Sequence, residues 1–216
     1  MKTFEELGVS PEIRRAIEEM GYENPMPVQE EVIPYLLGEN NDVVALAQTG
    51  TGKTAAFGLP LLQQIDVKNR IPQSLILCPT RELAMQAADE MRKYAKFKSS
   101  VRICAVFGGA SMEKQIHELK RGANIVIGTP GRVLDHIRRR TLKLDNLRCL
   151  ILDEADEMLN MGFREDIEAV LAESPEDRQT VLFSATMPPE ILAITEKYQN
   201  DPVKVKIKSA QKTVES

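Results

Sequence analysis

Seven short apolar runs, separated by longer stretches with helical spacing, constrain the fold of this chain more than any other feature. The runs are DVVALA, SLILC, VRICAVF, NIVIG, CLILD, TVLFS and VKVKI. Runs without polar alternation are typical of strands buried on both faces, and helices between such strands form the crossovers of a parallel sheet. The segment TRELAMQAADEMRKYA shows the helical period. The sequence therefore predicts an α/β domain with a mostly parallel sheet flanked by helices on both faces.

The first forty residues predict two helices before any strand. Ser10 and Pro11 suit the cap and first turn of one helix, and Gly21 can end it. A second helix is expected after Pro27, through VQEEVIPYLLG. We expect these helices to pack on the edge of the sheet or over its ligand.

Composition places the chain among ordinary globular proteins. Its 216 residues suit one domain by default, and no apolar run approaches the roughly 20 residues that span a bilayer. The start of the chain is too acidic for a signal peptide, so we expect a cytoplasmic protein without membrane contact. Cys78, Cys104 and Cys149 each lie in an apolar stretch and are expected to be buried free thiols.

The net charge of −4 excludes a general basic field that would attract a polyanion. Nucleic acid could bind only through a local surface. The densest basic cluster is HIRRRTLK, residues 136–143, which fits either a solvated helix end or a phosphate contact.

A glycine-rich loop follows the first apolar run, in the sequence AQTGTGKT. Gly50 and Gly52 let successive N–H groups point at a phosphate, Lys53 adds a positive charge, and Thr54 offers a hydroxyl to Mg²⁺. The strict pattern G-x-x-x-x-G-K-[ST] is not met, because Ala47 stands at its first position. The loop nevertheless predicts binding of nucleotide phosphates.

A pair of carboxylates follows the run CLILD. Asp153 could hold Mg²⁺ directly or through water, and Glu154 could orient or deprotonate the attacking water. No N-K-x-D string for reading guanine occurs. The glutamine amide of Gln29 can pair with adenine and the ring of Phe4 can stack on it, so adenine is the expected base.

Several strings together resemble the DEAD-box family of ATP-dependent RNA helicases. They are AQTGTGKT, DEAD (residues 153–156), PTRELA (79–84), GG (108–109), TPGR (129–132) and SAT (184–186), and their order and spacing fit over almost the whole chain. The resemblance implies a RecA-like P-loop NTPase domain that uses ATP and Mg²⁺ and acts on RNA.

The resemblance also implies a role for individual residues. Nucleotide binding would fall to Phe4, Gln29, Ala47, Gln48, Thr49, Gly50, Thr51, Gly52, Lys53 and Thr54, metal binding to Thr54 and Asp153, and catalysis to Lys53, Asp153 and Glu154. Coupling of hydrolysis to strand separation would use Asp156, Ser184 and Thr186, with Ser184 and Thr186 hydrogen-bonded to the DEAD segment. The RNA backbone would be contacted by Thr80, Arg81, Gly109, Thr129, Gly131 and Arg132, with little sequence preference.

Two features depart from the family pattern. Met26 stands where the family usually has Ser or Thr, so we expect a local link near the phosphate loop to be weaker or replaced. The family's second RecA-like domain, whose arginines complete the ATP site, has no counterpart after SAT. We expect a helical lead-in at 1–40, an ATP-binding domain at 41–207 and the start of an interdomain linker at 208–216.

Such a fragment is expected to be a monomer that binds adenine nucleotide and turns it over weakly. Arginine fingers contribute roughly 10³ to 10⁵ in turnover. The alternatives from the sequence are a P-loop switch or scaffold that binds ATP without unwinding, and a helicase directed at DNA.

Overall fold

The computed structural model describes residues 1–38, 40–48 and 50–208. Its strands are β1 (Val43–Leu46), β2 (Ser74–Leu77), β3 (Ile103–Val106), β4 (Ile125–Gly128), β5 (Cys149–Leu152), β6 (Gln179–Ser184) and β7 (Val203–Lys206). They form one sheet in the order β3-β4-β2-β5-β6-β1-β7, and all neighbouring strands are parallel. Each of the seven apolar runs covers all or nearly all of one strand, so the predicted parallel sheet is confirmed.

Helices cover both faces of the sheet. They are α1 (Pro11–Glu19), α2 (Pro27–Leu37), α3 (Lys53–Gln64), α4 (Arg81–Tyr94), α5 (Met112–Lys120), α6 (Pro130–Arg138), α7 (Ala155–Asn160), α8 (Arg164–Glu173) and α9 (Pro189–Tyr198). Buried side chains of α1 to α4 share one hydrophobic cluster with one face, and those of α5 to α9 share a second cluster with the other. Alternate residues of a strand point to opposite faces, so both clusters draw on the same strands.

The lead-in helices belong to the first of these clusters. Helix α1 packs on α4, and α2 packs on α3. Ser10 occupies the N-cap position of α1, but its side chain makes no capping hydrogen bond. Gly21 follows the helix with a φ of 89°, a left-handed conformation in which glycine is favoured.

Burial differs between the central strands and the two edges. The central strands β2, β4, β5 and β6 are buried throughout, whereas β3 alternates between buried and half-buried residues and β7 exposes Lys204 and Lys206. The prediction that strands are buried on both faces was therefore wrong for the edge strands β3 and β7, because the helical layers cover them less completely. Lysines on an edge strand also discourage pairing with another sheet.

The three cysteines are buried and free, as predicted. Burial raises the pKa of all three thiols, that of Cys104 to about 11. They therefore remain protonated and poorly nucleophilic at neutral pH. Within the described ranges, none of the helices combines the length and the hydropathy required to cross a bilayer.

Candidate functional site

A cleft of about 710 Å³ lies at the carboxyl edge of the sheet, where parallel strands place the residues that follow them. Three segments distant in sequence meet there. They are the glutamine segment (residues 21–29), the phosphate loop (residues 47–54) with the start of α3, and the first two residues of the DEAD segment (153–156). One side of α4 closes the cleft, through residues that include Gln86 and Glu90.

The phosphate loop connects β1 to α3, as the sequence indicated. Gly50 and Gly52 both have a φ of 83°, and Gly52 is the N-cap residue of α3. Thr51 closes the loop by donating its hydroxyl to the carbonyl of Gln48 at 2.8 Å. Thr54 lines the cleft, and Thr49 lies outside the described residues. The glycines thus supply the left-handed geometry that the turn into α3 requires.

Lys53 and the two carboxylates of the DEAD segment form one charged cluster. The Lys53 ammonium donates to Asp153 Oδ1 at 3.0 Å and lies 3.8 Å from Glu154 Oε1. Lys53 is 8% exposed. Burial raises the pKa of the Asp153 carboxyl, and the Lys53 ammonium acts in the opposite direction. The cluster thus places one cation and two carboxylates side by side in the cleft, at the start of α3.

Glu154 has a backbone conformation that the sequence did not indicate. With φ and ψ both at 51°, it is a left-handed residue at the N-cap position of α7. Non-glycine residues adopt this region infrequently, and such strain is concentrated at functional sites. The turn directs the Glu154 side chain into the cleft, beside Lys53.

Gln29 joins the glutamine segment to the phosphate loop. Its side-chain amide donates to the carbonyl of Gly52 at 3.2 Å, and its side-chain oxygen accepts from the N–H of Met26 at 2.9 Å. Gln29 is 2% exposed. The sulfur of Met26 also lies close to Gly52. The link that a hydroxyl at position 26 would have made is thus replaced by a packed thioether and by the amide of Gln29.

Alanine at Gly52 is expected to lower the free energy of unfolding by about 2 kcal/mol, because the left-handed φ disfavours a side chain and the displaced end of Gln29 loses its hydrogen bond. An added Cβ would lie 2.6 Å from Gln29 Nε2 and 2.8 Å from Met26 Sδ, in a residue whose left-handed φ already disfavours a side chain. Gly50→Ala is the matched control, because its φ is the same and no atom lies within 4 Å of the added Cβ. The free energy of unfolding of Gly50→Ala, measured by urea denaturation, should fall by only about 1 kcal/mol. Equal losses would contradict the tight packing at Gly52.

Phe4 lies apart from the cleft. Its side chain is 6% exposed and belongs to the hydrophobic cluster formed by α1 to α4. The aromatic residues that line the cleft are Tyr22 and Tyr94, whose hydroxyls are 3.0 Å apart and whose rings meet edge to face. Burial, followed by the hydrogen bond to Tyr22, raises the pKa of the Tyr94 phenol. Sequence reasoning missed both tyrosines, although Tyr22 directly follows Gly21.

Ala47 and Gln48 also lie outside this cleft. Ala47 is buried and donates its N–H to the carbonyl of Ser184 at 3.0 Å. Both residues line a second groove, between the ends of β1 and β7 and the SAT string. Ala47 and Gln48 therefore face SAT, whereas Gly50 and the residues from Gly52 to Thr54 face the cleft.

Thr186 of the SAT string is hydrogen-bonded to the DEAD segment. Thr186 donates to Asp156 Oδ2 from its N–H at 3.1 Å and from its hydroxyl at 2.8 Å. The corresponding expectation for Ser184 was wrong, because its hydroxyl donates to the carbonyl of Thr186 at 2.6 Å. Ser184 thus shapes the turn that presents Thr186 to Asp156.

The residues expected to contact RNA lie after β2, β3 and β4. Arg81 Nη1 donates to the carbonyl of Gly109 at 3.2 Å, and Arg132 Nη1 donates to the carbonyl of Ala110 at 3.0 Å. The structure therefore brings PTRELA, GG and TPGR together at one surface. Thr80 caps α4 by accepting from the N–H of Leu83 at 3.2 Å.

Thr129 and Gly131 begin α6 on the same surface. Thr129 is the N-cap residue of α6, and its side chain makes no capping hydrogen bond, whereas Gly131 is exposed. In the basic cluster 136–143, His136 is buried and Arg139 pairs with Asp135 at 3.0 Å. These contacts favour the helix-end interpretation of that cluster.

The family model described as DEAD/DEAH box helicase matches residues 26–194. The chain belongs to the DEAD/DEAH box helicase family. The matched range of this DEAD/DEAH box chain contains the phosphate loop, the DEAD segment and SAT.

Relatives of the DEAD/DEAH box chain share about half of its residues. It is 51% identical to the DEAD-box ATP-dependent RNA helicase CshA of Geobacillus kaustophilus, over 99% of this chain and 45% of the relative. It is 54% identical to the ATP-dependent RNA helicase DeaD of Haemophilus influenzae, over 95% of this chain and 33% of the relative. The chain thus spans less than half the length of these curated relatives.

A solved structure shows the same fold. The DEAD box protein from the hyperthermophile Methanococcus jannaschii superposes with a TM-score of 0.91 at 48% identity, covering 95% of this chain and 56% of that chain. The parallel sheet and its helical layers are therefore those of a DEAD box protein.

Proposed function

We propose that this chain is the ATP-binding domain of an ATP-dependent RNA helicase. The observation that carries the proposal is the meeting of Lys53, Asp153 and Glu154 with the phosphate loop in one cleft, in a chain of the DEAD/DEAH box helicase family. The two curated relatives are both described as ATP-dependent RNA helicases.

The charged and polar side chains of the cleft suit a nucleoside triphosphate bound with Mg²⁺. Lys53 bonds Asp153 in this structure, and with ATP bound it would turn to the phosphate oxygens. Thr54 and Asp153 supply the oxygen ligands that Mg²⁺ prefers, and the bound ion would neutralise charge on the phosphates. Gln29 would read adenine with the donor and acceptor capacity left on its amide.

Glu154 is proposed to act on the attacking water. Its carboxylate lies in the same cleft as the phosphate loop, on a strained turn that limits its freedom. From there it can orient the water and accept its proton. The hydrogen bonds of Thr186 to Asp156 then connect the hydrolysis site with SAT, which we propose as the coupling element, with Ser184 supporting its turn.

RNA is proposed to bind through its backbone, at the surface formed by PTRELA, GG and TPGR. Exposed Arg81, the half-buried Arg132 and the start of α6 offer N–H donors suited to phosphates, although the chain is acidic overall. Such contacts position RNA without reading its sequence.

We further propose a division into a lead-in at 1–40, a RecA-like domain at 41–207 and the start of a linker at 208–216, of which residues 209–216 lie outside the described part. A second RecA-like domain would supply the arginines that raise turnover. The 216-residue chain should therefore bind ADP and ATP analogues with Mg²⁺, as a monomer, and hydrolyse ATP weakly. RNA-stimulated turnover at full helicase rates by this chain would contradict the division.

Glu154→Gln is expected to reduce ATP turnover by at least about 10²-fold, because an amide cannot accept the proton of water. The measurement is phosphate release by this chain joined to a second RecA-like domain, with RNA present. Nucleotide affinity should stay within about threefold, since the side chain keeps its size. Glu157→Gln, an exposed residue of α7, is the control. Undiminished turnover in Glu154→Gln would support an ATP-binding scaffold instead, and equal unwinding of DNA duplexes would contradict specificity for RNA.

A further inference from the structure

The turn between β3 and α5, residues 107–110, is held from inside by three side chains. Gln115 Nε2 donates to the carbonyl of Phe107 at 3.0 Å, while Arg81 and Arg132 donate to the carbonyls of Gly109 and Ala110. Within the described part of the chain, the N–H groups of Gly108 and Gly109 donate to no acceptor. Side chains thus occupy the carbonyls of Phe107, Gly109 and Ala110 in this turn, which we call the glycine turn, and the N–H groups of Gly108 and Gly109 remain available to an anion.

Behind the glycine turn lies a buried polar pair, His136 and Gln115. They are 0% and 6% exposed. His136 Nε2 lies 3.0 Å from Gln115 Oε1, and Arg132 Nη1 donates to the same oxygen at 3.2 Å. His136 Nδ1 lies 2.8 Å from the hydroxyl of Thr141. The side-chain amide of Gln115 therefore connects helix α6, through Arg132 and His136, with the glycine turn.

The hydrogen bonds assign the proton of His136. Gln115 must direct its NH₂ group to the carbonyl of Phe107, so its oxygen faces both Arg132 and His136 and accepts from each. His136 then carries a proton on Nε2. The Thr141 hydroxyl lies 2.8 Å from Nδ1 and 3.1 Å from the carbonyl of His136, so in a neutral ring its single proton is shared between these two acceptors. Burial, followed by the charge of Arg132, lowers the pKa of His136, which agrees with a neutral ring.

The hydrogen bonds to Gln115 and the glycine turn use only one of the three nitrogens of the Arg132 guanidinium. Only Nη1 has acceptors among the described residues, so Nε and Nη2 remain available to a ligand. Because a guanidinium is a rigid fork, fixing Nη1 also fixes the direction of the other donors. The direction of Arg132 relative to the glycine turn thus depends on Gln115, and that of Gln115 depends on His136.

We propose that His136 and Gln115 are positioning residues for RNA: they hold Arg132 and the glycine turn in the one arrangement that matches a phosphodiester backbone. The proposal rests on the proposed function, since it assumes that this surface binds RNA. Neither residue reaches the ligand, because both are buried. Their effect should therefore appear in RNA affinity and not in nucleotide affinity.

The test compares His136→Leu with His136→Gln in the 216-residue chain. Leucine fills the space without a donor, whereas glutamine can place an N–H close to the position of Nε2. We expect His136→Leu to weaken binding of a single-stranded decauridylate about tenfold, and His136→Gln to restore it to within about threefold. The measurement is an NMR titration with an ATP analogue and Mg²⁺ present, with ADP affinity measured in parallel and expected to be unchanged.

Two further measurements keep the proposal testable if His136→Leu does not fold. Gln115→Met should weaken RNA binding similarly, and the double variant should be no weaker than the single variants, because the pair acts as a unit. In the unaltered chain, ¹⁵N NMR of the imidazole should show the proton on Nε2. A proton on Nδ1 alone would overturn the assignment on which the proposal stands.

The outcomes separate this proposal from the proposed function. If the unaltered chain binds RNA and His136→Leu binds it equally well, the positioning role fails and the helicase proposal stands. Parallel loss of RNA and ADP affinity would indicate a general structural role and would also overturn it. If the unaltered chain shows no RNA binding, both proposals fail at this surface.

Discussion

Lys53→Met should lower the affinity of the chain for ATP analogues and ADP by about 10²-fold or more. Methionine has nearly the same length as lysine but no charge, so the phosphates would lose a charge-assisted hydrogen bond from a residue that is only 8% exposed. Isothermal titration with Mg²⁺ present measures the loss. Lys68→Met, at an exposed position after α3, is the control and should bind like the unaltered chain.

The same substitution tests how the cleft is built. Lys53 now pairs with Asp153, and removing one partner of a buried ion pair leaves the other charge uncompensated. Because burial already raises the pKa of Asp153, this carboxyl can take up a proton and limit the loss of stability. We therefore expect Lys53→Met to stay folded by circular dichroism. Unchanged nucleotide affinity in a folded Lys53→Met variant would contradict the assignment of the phosphate site.

Gly128→Ala is expected to lower the free energy of unfolding by about 3 kcal/mol or more. An added Cβ would lie 2.4 Å from the carbonyl oxygen of Val106 and 2.6 Å from Cγ2 of Val133. The first contact is with backbone of the neighbouring strand β3, which cannot move without breaking its pairing with β4. Urea denaturation followed by circular dichroism measures the loss.

Gly108→Ala is the matched control for this second prediction. Gly108 lies in the glycine turn, its φ is not left-handed, and no atom lies within 4 Å of an added Cβ. The Gly108→Ala variant should lose less than about 1 kcal/mol of its free energy of unfolding. If both variants lost the same stability, the close packing of β3 and α6 on Gly128 would be contradicted.

Local patterns in the sequence were sufficient for the sheet and for the phosphate loop. A continuous apolar run predicts a buried strand because its own residues carry the signal, and all seven runs contain strands. Gly50 and Gly52 predicted a backbone bend before α3 for a similarly local reason, and the structure gives both a left-handed φ. The placement of Asp153 and Glu154 beside Lys53 also followed, because carboxyl ends of parallel strands share one edge of the sheet.

Local sequence patterns could not predict the contacts between segments that are far apart in sequence. Nothing local in the sequence indicates that Gln29 bonds the carbonyl of Gly52, that Ser184 bonds Thr186 instead of the DEAD segment, or that Phe4 lies in the core. The pairing of His136 with Gln115 was likewise invisible, because the residues lie 21 positions apart on different helices. Their side chains choose partners only after packing brings many donors and acceptors within reach.

The amino-acid order alone thus specified the parallel sheet, the loop into α3 and the acidic turn after β5, since each depends on the conformational preferences of neighbouring residues. The arrangement of the cleft and of the glycine turn came only from the folded chain. There the distance between Lys53 and Asp153, the strained backbone of Glu154 and the orientation of Arg132 are set by contacts between segments far apart in sequence.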